Sequence, residues 1–207
     1  MPAYKLYYFP VRALGEVIRQ TFKLAEVEFE DVRVEKESWP EIKEILAEMP
    51  FGQVPVLEVD GKQIPQSFAI VRYIAAQHGL AGKTPFEVAW VDAVADQWKD
   101  FERDFRNYWA ILVGFREGDA EAAKTEHGLP ARDKFYPLIV KQLKTNGSGF
   151  LVGTSATWVD LLLSDQTSAI QKELPGFLDA YPEILAHADK VRAIPQIAKW
   201  IKIRPDT

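Results

Sequence analysis

The feature that most constrains this chain is a change of rhythm at Gly79-Leu80-Ala81-Gly82-Lys83-Thr84-Pro85. Before that stretch, short apolar runs alternate with helical segments. After it, every periodic segment has helical spacing. A run that is rich in glycine and ends in proline reads as a linker. The chain is therefore expected to fold as an α/β domain over residues 1–78, a linker at 79–85 and an all-helical domain over 86–207. Neither half is large, so an extensive shared interface is expected.

In the first half, Tyr4-Lys5-Leu6-Tyr7-Tyr8-Phe9 is aromatic-rich and stops at Pro10, which suits a strand. Arg12–Ala25 sets Val17, Ile18, Phe22 and Leu24 in helical register, and Glu28–Val34 reads as a second strand. Ser38-Trp39-Pro40-Glu41 has the caps of a helix start. Val54 to Ile64 is a strand pair turning at Asp60-Gly61, a strong two-residue hairpin signal. Ser67–Gln77 is helical. The order β-α-β-α-β-β-α favours a parallel start with an antiparallel hairpin added. In the second half, Val88, Val91, Ala95, Trp98, Phe105, Trp109 and Leu112 form one long apolar stripe. Further helices are expected near Lys124–Leu143, Thr157–Glu173, Pro182–Arg192 and Pro195–Ile203. The fold class is α+β with two domains.

Composition removes several functions. The formal net charge is −5, so there is no basic footprint for nucleic acid. Cysteine is absent, which excludes disulfides, thiolate metal sites and a cysteine nucleophile. No run of 18 apolar residues suggests a membrane span, and Lys5, Pro10 and Arg12 interrupt any leader-like apolar run. A cytoplasmic protein is expected. Asn146-Gly147-Ser148 reads as a turn rather than a glycosylation site.

Pro55 stands after βαβα and before the hairpin. In the thioredoxin fold a cis-proline stands at this point, and the residue before it offers its backbone to an extended peptide ligand. The chain carries Tyr4-Lys5-Leu6-x-Tyr8-Phe9, Pro50-Phe51-Gly52-Gln53-Val54-Pro55-Val56-Leu57-Glu58-Val59-Asp60-Gly61 and Gln66-Ser67-x-Ala69-Ile70. Its second half adds Gly149-Phe150-Leu151-Val152-Gly153, Thr157-Trp158-Val159-Asp160 and Ala193-Ile194-Pro195. Over essentially its whole length it resembles the cytosolic glutathione S-transferases, most of all sigma-class or nematode-type members. Leu129 to Phe135 and the terminal Arg204-Pro205 resemble the nematode type in particular.

That resemblance implies a thioredoxin-like domain that holds glutathione as co-substrate, a helical domain that shapes a site for small hydrophobic electrophiles, and a homodimer. It implies detoxification chemistry, no tightly bound cofactor, no metal, and no nucleic-acid or membrane partner. It gives Tyr8 the central role: a protonated phenol donates to the glutathione sulfur and favours the thiolate. Otherwise Tyr8 is a core aromatic at a strand end. Tyr7 points to the opposite face of the strand. By similarity, Val54 beside Pro55 pairs with the cysteinyl backbone of glutathione. Gln66 and Ser67 hold the γ-glutamyl end, Trp39 and Lys43 the glycyl end, and Gln53 either end. Lys43 could equally be a solvated charge, and Gln66-Ser67 an ordinary helix cap.

Asp92, Asp96 and Asp100 recur every four residues. This is either a solvated face crossed by Lys99 and Arg103 or, by similarity, a line whose Asp100 reaches glutathione in the neighbouring subunit. Phe9, Leu14, Phe105, Tyr108 and Leu162 are candidates for the electrophile pocket, and each could simply be core. Relatives that make prostaglandin D2 carry an arginine where this chain has Leu14, and an aspartate at Lys99. Arg12 either braces the loop after the first strand or approaches the thiolate. Thr157-x-x-Asp160 has the form of a capping box and reads as structural. His78, His127 and His187 lack metal-ligand spacing and are expected at the surface or at helix ends. Two other classes share the fold: a carrier of haem or other hydrophobic ligands, and a glutathione-dependent isomerase or peroxidase. A non-enzymatic structural member is disfavoured by Tyr8, Val54-Pro55 and Gln66-Ser67.

Overall fold

The computed structural model describes residues 2–34, 44 and 47–205. The chain forms two compact units. The first comprises the chain up to Ala81 together with the segment from Arg192 onward; the second runs from Gly82 to Val191.

The first unit is built on a four-stranded sheet. Its strands are β1 (Tyr4–Tyr8), β2 (Glu30–Arg33), β3 (Val56–Val59) and β4 (Lys62–Pro65), in the order β2-β1-β3-β4. β1 pairs with β2 in parallel and with β3 antiparallel, and β3 pairs with β4 antiparallel. Parallel pairing needs a crossover, which helix α1 (Ala13–Leu24) supplies. The β3–β4 turn holds Asp60 at φ 48° and Gly61 at φ 80°. Two successive positive φ values match the right-handed twist of a tight hairpin.

β1 alternates as the period of two demands: Tyr4, Leu6 and Tyr8 are buried, while Lys5 and Tyr7 lie on the half-covered face. Phe22 of α1 packs on Tyr4 at 5.2 Å and stacks on Phe29 at 4.5 Å. α1 also packs against helix α2 (Ser67–Gln77) and against α8 (Pro195–Ile203), the last helix of the chain. The segment from Arg192 on, expected in the helical domain, thus belongs to the first unit. Buried hydrogen bonds hold it there: Trp200 Nε1 donates to Glu16 Oε1 at 2.8 Å, and Arg204 Nη1 to the same oxygen at 2.6 Å.

The second unit contains α3 (Pro85–Leu112), α4 (Ala120–Ala123), a π-helical turn at Lys124–Gly128, α5 (Leu129–Asn146), α6 (Trp158–Glu173) and α7, which spans Pro182–Arg192. The single helix expected over Lys124–Leu143 is interrupted at its start. Pro130 has no N–H to continue an i→i−4 ladder, and the widened turn before it absorbs the defect. The apolar stripe of α3 is buried at Val91, Ala95, Trp98 and Phe105 and half-buried at Trp109 and Leu112. Val88 is exposed, a correction to the sequence pattern. Phe86 and Trp90, four residues apart on one face of α3, are exposed as well, and their rings meet edge to face at 6.4 Å.

His187 is also corrected: it is 3% exposed in α7, not at the surface. Ile184, His187, Ala188 and Val191 share that helix's buried face at helical spacing. His187 Nε2 lies 2.8 Å from Asp160 Oδ1. Asp160 Oδ1 also accepts from the Leu151 amide at 2.8 Å, and Oδ2 accepts from the Thr157 amide and hydroxyl, both at 2.8 Å. The capping box thus anchors a buried polar knot that starts α6. Gly147, at φ 68°, ends α5 as a left-handed cap, and Asn146 donates to the Phe150 and Gly153 carbonyls. Among the described residues, no helix is long and apolar enough to cross a membrane.

Candidate functional site

The strand register gathers the expected residues at one end of the sheet. Tyr7 stands opposite Val56, and Val56 stands opposite Pro65. Tyr8, the Val54-Pro55 pair and Gln66-Ser67 therefore flank the same row of the ladder. No single-segment pattern contains this proximity; it follows from the order of pairing.

Tyr8 closes β1 and is 7% exposed. Its ring lies on the first turns of α1. Gly15 is required there, because a Cβ at that position would overlap Tyr8 Cδ1. One turn further along the helix, the Arg19 guanidinium sits 5.8 Å from the Tyr8 ring centroid. Burial pushes the Tyr8 hydroxyl above its ordinary pKa near 10. A hydrogen bond with the Leu14 backbone and the Arg19 charge pull it back. The net direction is upward, so at neutral pH Tyr8 is a phenol with a proton to donate. Tyr7 faces away, with its hydroxyl 3.5 Å from Glu58 Oε2.

Val54 is half-buried, Pro55 is buried, and their peptide bond is cis. Gln53 is exposed. Gln66 has φ 73° and ψ 117°, a conformation that side-chain-bearing residues seldom adopt. It precedes Ser67, the 9% exposed first residue of α2. Backbone strain of this kind persists where surrounding structure fixes it, and it concentrates at binding sites. Ser67 also opens a helix whose unpaired amides suit a carboxylate. Trp39 and Lys43, and the helix start at Ser38, lie outside the described residues. Arg12 and Leu14 are half-buried at the entry to α1, and Phe9 packs against Tyr8 with ring centroids 5.7 Å apart.

In the second unit, Asp100 is half-exposed on α3 and pairs with Arg103 at 2.9 Å. Phe105, Tyr108 and Leu162 are 5%, 2% and 1% exposed. Phe105 stacks on Phe101 at 5.0 Å and meets Tyr108 edge to face. These three side chains are core.

Sequence reasoning missed a buried polar network on α1. Glu16 and Arg19 are each 1% exposed. Arg19 Nε reaches both oxygens of Asp31 at 3.1 Å, Nη1 donates to the Val11 carbonyl at 2.8 Å, and Nη2 to the Phe9 carbonyl at 3.2 Å. One signal was present: Glu16 and Arg19 share the helical face of Phe22, where a solvated pair has no place.

The sequence model of the glutathione S-transferase N-terminal domain matches residues 2–76, and that of the C-terminal domain matches residues 103–204. Glutathione S-transferase 1 of Ascaris suum is 47% identical over 207 residues, covering 100% of this chain and 99% of its own. The solved structure of a major nematode-specific glutathione transferase from Caenorhabditis elegans superposes with a TM-score of 0.96 at 48% identity, covering 100% of this chain and 99% of that one. A Nu-class enzyme of Haemonchus contortus superposes with a TM-score of 0.92, again at 48% identity, covering 100% and 99%.

Proposed function

The chain belongs to the glutathione S-transferase family, and we propose that it works as a tyrosine-type transferase in which Tyr8 activates the glutathione thiol. The observation that supports this reading is a buried, protonated phenol at the sheet end flanked by Val54-Pro55 and Gln66-Ser67. The Tyr8 hydroxyl donates to sulfur and stabilises the thiolate, so the thiol gives up its proton to water at lower pH. The thiolate then attacks an electrophilic carbon, a carbon–sulfur bond forms, and the leaving group departs with its electron pair. Holding both reactants makes the step effectively unimolecular.

In this reading residues 1–78 hold glutathione. Val54 pairs with the cysteinyl backbone, Gln66 and Ser67 hold the γ-glutamyl end, Trp39 and Lys43 hold the glycyl end, and Gln53 contacts either end. Phe9 and Leu14 supply the wall of the electrophile site from the first unit. Phe105, Tyr108 and Leu162 are withdrawn from that wall, because core burial leaves them almost no exposed face. Leu14 makes the wall apolar. A homodimer is part of the proposal, with Asp100 reaching the glutamyl ammonium in the neighbouring subunit. The exposed, touching rings of Phe86 and Trp90 favour such an interface. Likeness to a Nu-class enzyme favours a nematode class over the sigma class. Carriage of haem or other hydrophobic ligands is the less favoured reading, since the relatives this chain matches over its whole length are glutathione S-transferases.

Tyr8→Phe tests the assignment, with turnover of glutathione and chlorodinitrobenzene measured across pH. The rise of kcat/KM with pH is expected to move to higher pH by roughly one unit or more, a tenfold loss for each unit. An unchanged profile would sink the role given to Tyr8.

A further inference from the structure

Arg19 is bonded to β2 and to the loop after β1, and its charge faces the Tyr8 ring. Its guanidinium is buried and fixed on three sides. Asp31 of β2 takes Nε, and the carbonyls of Phe9 and Val11 take the two terminal nitrogens. Those carbonyls belong to the loop that leaves Tyr8. The planar group ends 5.8 Å from the centroid of the Tyr8 ring, within the range of a cation–π contact. Gly15, four residues earlier on the same face of α1, closes the ring's contact with the helix. The phenol is thus held in plane by glycine and exposed to a positive charge that carries no bulk water.

The charge itself is held from behind. Glu16 lies 3.8 Å from Arg19 Nη1 and accepts from Trp200, Arg204 and Gln20. All of these residues belong to the first unit. Both counter-charges are shared: Asp31 also pairs with Arg33 at 3.0 Å, and Glu16 accepts from three other donors, so the Arg19 charge is only partly neutralised toward Tyr8.

We propose that Arg19 is a positioning residue for thiol activation: it clamps the loop after Tyr8 and polarises the Tyr8 ring, with Glu16, Trp200 and Arg204 as its anchor. The proposal rests on the Tyr8 reading. Arg19 touches neither glutathione nor the electrophile; it acts through the phenol. A cation at the ring face draws electron density from the hydroxyl and makes it the stronger hydrogen-bond donor. The Arg19 charge lowers the Tyr8 hydroxyl against its burial, the direction this requires. Lysine cannot reproduce the fork that spans Asp31 and two carbonyls.

The test is the pH dependence of kcat/KM for glutathione and chlorodinitrobenzene in the full-length enzyme, with the ultraviolet band of the bound thiolate titrated alongside. Arg19→Gln is expected to move both curves to higher pH and to cost roughly tenfold at neutral pH. Arg19→Lys, which restores charge without the fork, is expected to recover part of the shift. In a Tyr8→Phe background, Arg19→Gln is expected to move neither curve further. A folded Arg19→Gln enzyme that keeps both wild-type curves and loses only thermal stability overturns the proposal and leaves Tyr8 in place. A Tyr8→Phe enzyme with wild-type curves overturns the Tyr8 reading, and action through its ring falls with it. If Arg19→Gln does not fold, Trp200→Phe carries the test. It frees one donor from Glu16 and is expected to give a smaller shift in the same direction, and an unmoved profile overturns the proposal.

Discussion

Tyr7 and Tyr8 are adjacent and chemically identical, yet strand geometry gives them opposite surroundings. Alternation along β1 was legible in the sequence, and it separates a buried phenol from a half-exposed one. Tyr7→Phe should therefore change neither turnover nor stability by more than about 0.5 kcal/mol, because its half-exposed hydroxyl has only a long contact to Glu58 and a solvent-screened one to Lys5. Gly15→Ala should behave differently. The added methyl meets the Tyr8 ring, and relief requires either the ring or the helix to move. Overpacking of this kind costs about 1–3 kcal/mol. Since the displaced group is the proposed thiol activator, kcat should fall at least as visibly as the melting temperature. A variant that melts early but turns over normally would show that the ring position does not matter. The burial of Arg19 left a trace in the sequence, but its contacts were not legible. Its partners come from β2 and from the loop after β1, and only the folded sheet brings them together.

The start of α6 shows the same division at the level of an element. Thr157-x-x-Asp160 announces a capping box by spacing alone. The Leu151 amide and His187 join it only through the fold, from 9 and 27 residues away. The local part should be modest: Thr157→Ala is expected to cost about 0.5–2 kcal/mol in urea unfolding. The buried part should be larger. Asp160→Ala leaves His187, the Leu151 amide and the Thr157 amide without their acceptor, and about 3–5 kcal/mol is expected. Equal losses for the two variants would mean that the knot adds nothing to the cap. The aromatic core of the second unit carries its own pH signature. Burial pushes the Tyr136 hydroxyl far above its ordinary value. The unfolded chain then loses that proton first, so stability falls as pH rises past about 10. Tyr136→Phe should delay alkaline unfolding, read by circular dichroism against pH. The π-helical turn before Pro130 escaped prediction for a related reason. Helical spacing locates faces, whereas a missing N–H alters the ladder in between.

Across the whole molecule, the chain has no cysteine, so the only nucleophilic sulfur in the proposed reaction arrives with glutathione. Exposure to a thiol-alkylating reagent, followed by its removal, should leave turnover unchanged. Loss of activity would point to an essential group other than the glutathione thiol. The division into an α/β part and a helical part was legible from rhythm alone. What rhythm could not show is that the last helix belongs to the first part. Pro195–Ile203 reads as one more amphipathic helix, and nothing local says which surface it covers. That membership has a consequence for the order in which the molecule is made. A ribosome, adding about 5–20 residues per second, delivers α1 well before α8. Trp200 and Arg204 follow Glu16 by 184 and 188 residues. Through that interval the Glu16 carboxylate has neither of these partners, and the seat behind Tyr8 stays unlocked. The α1 seat is thus begun early and completed late, and a nascent chain lacks the finished packing behind Tyr8 until α8 has docked.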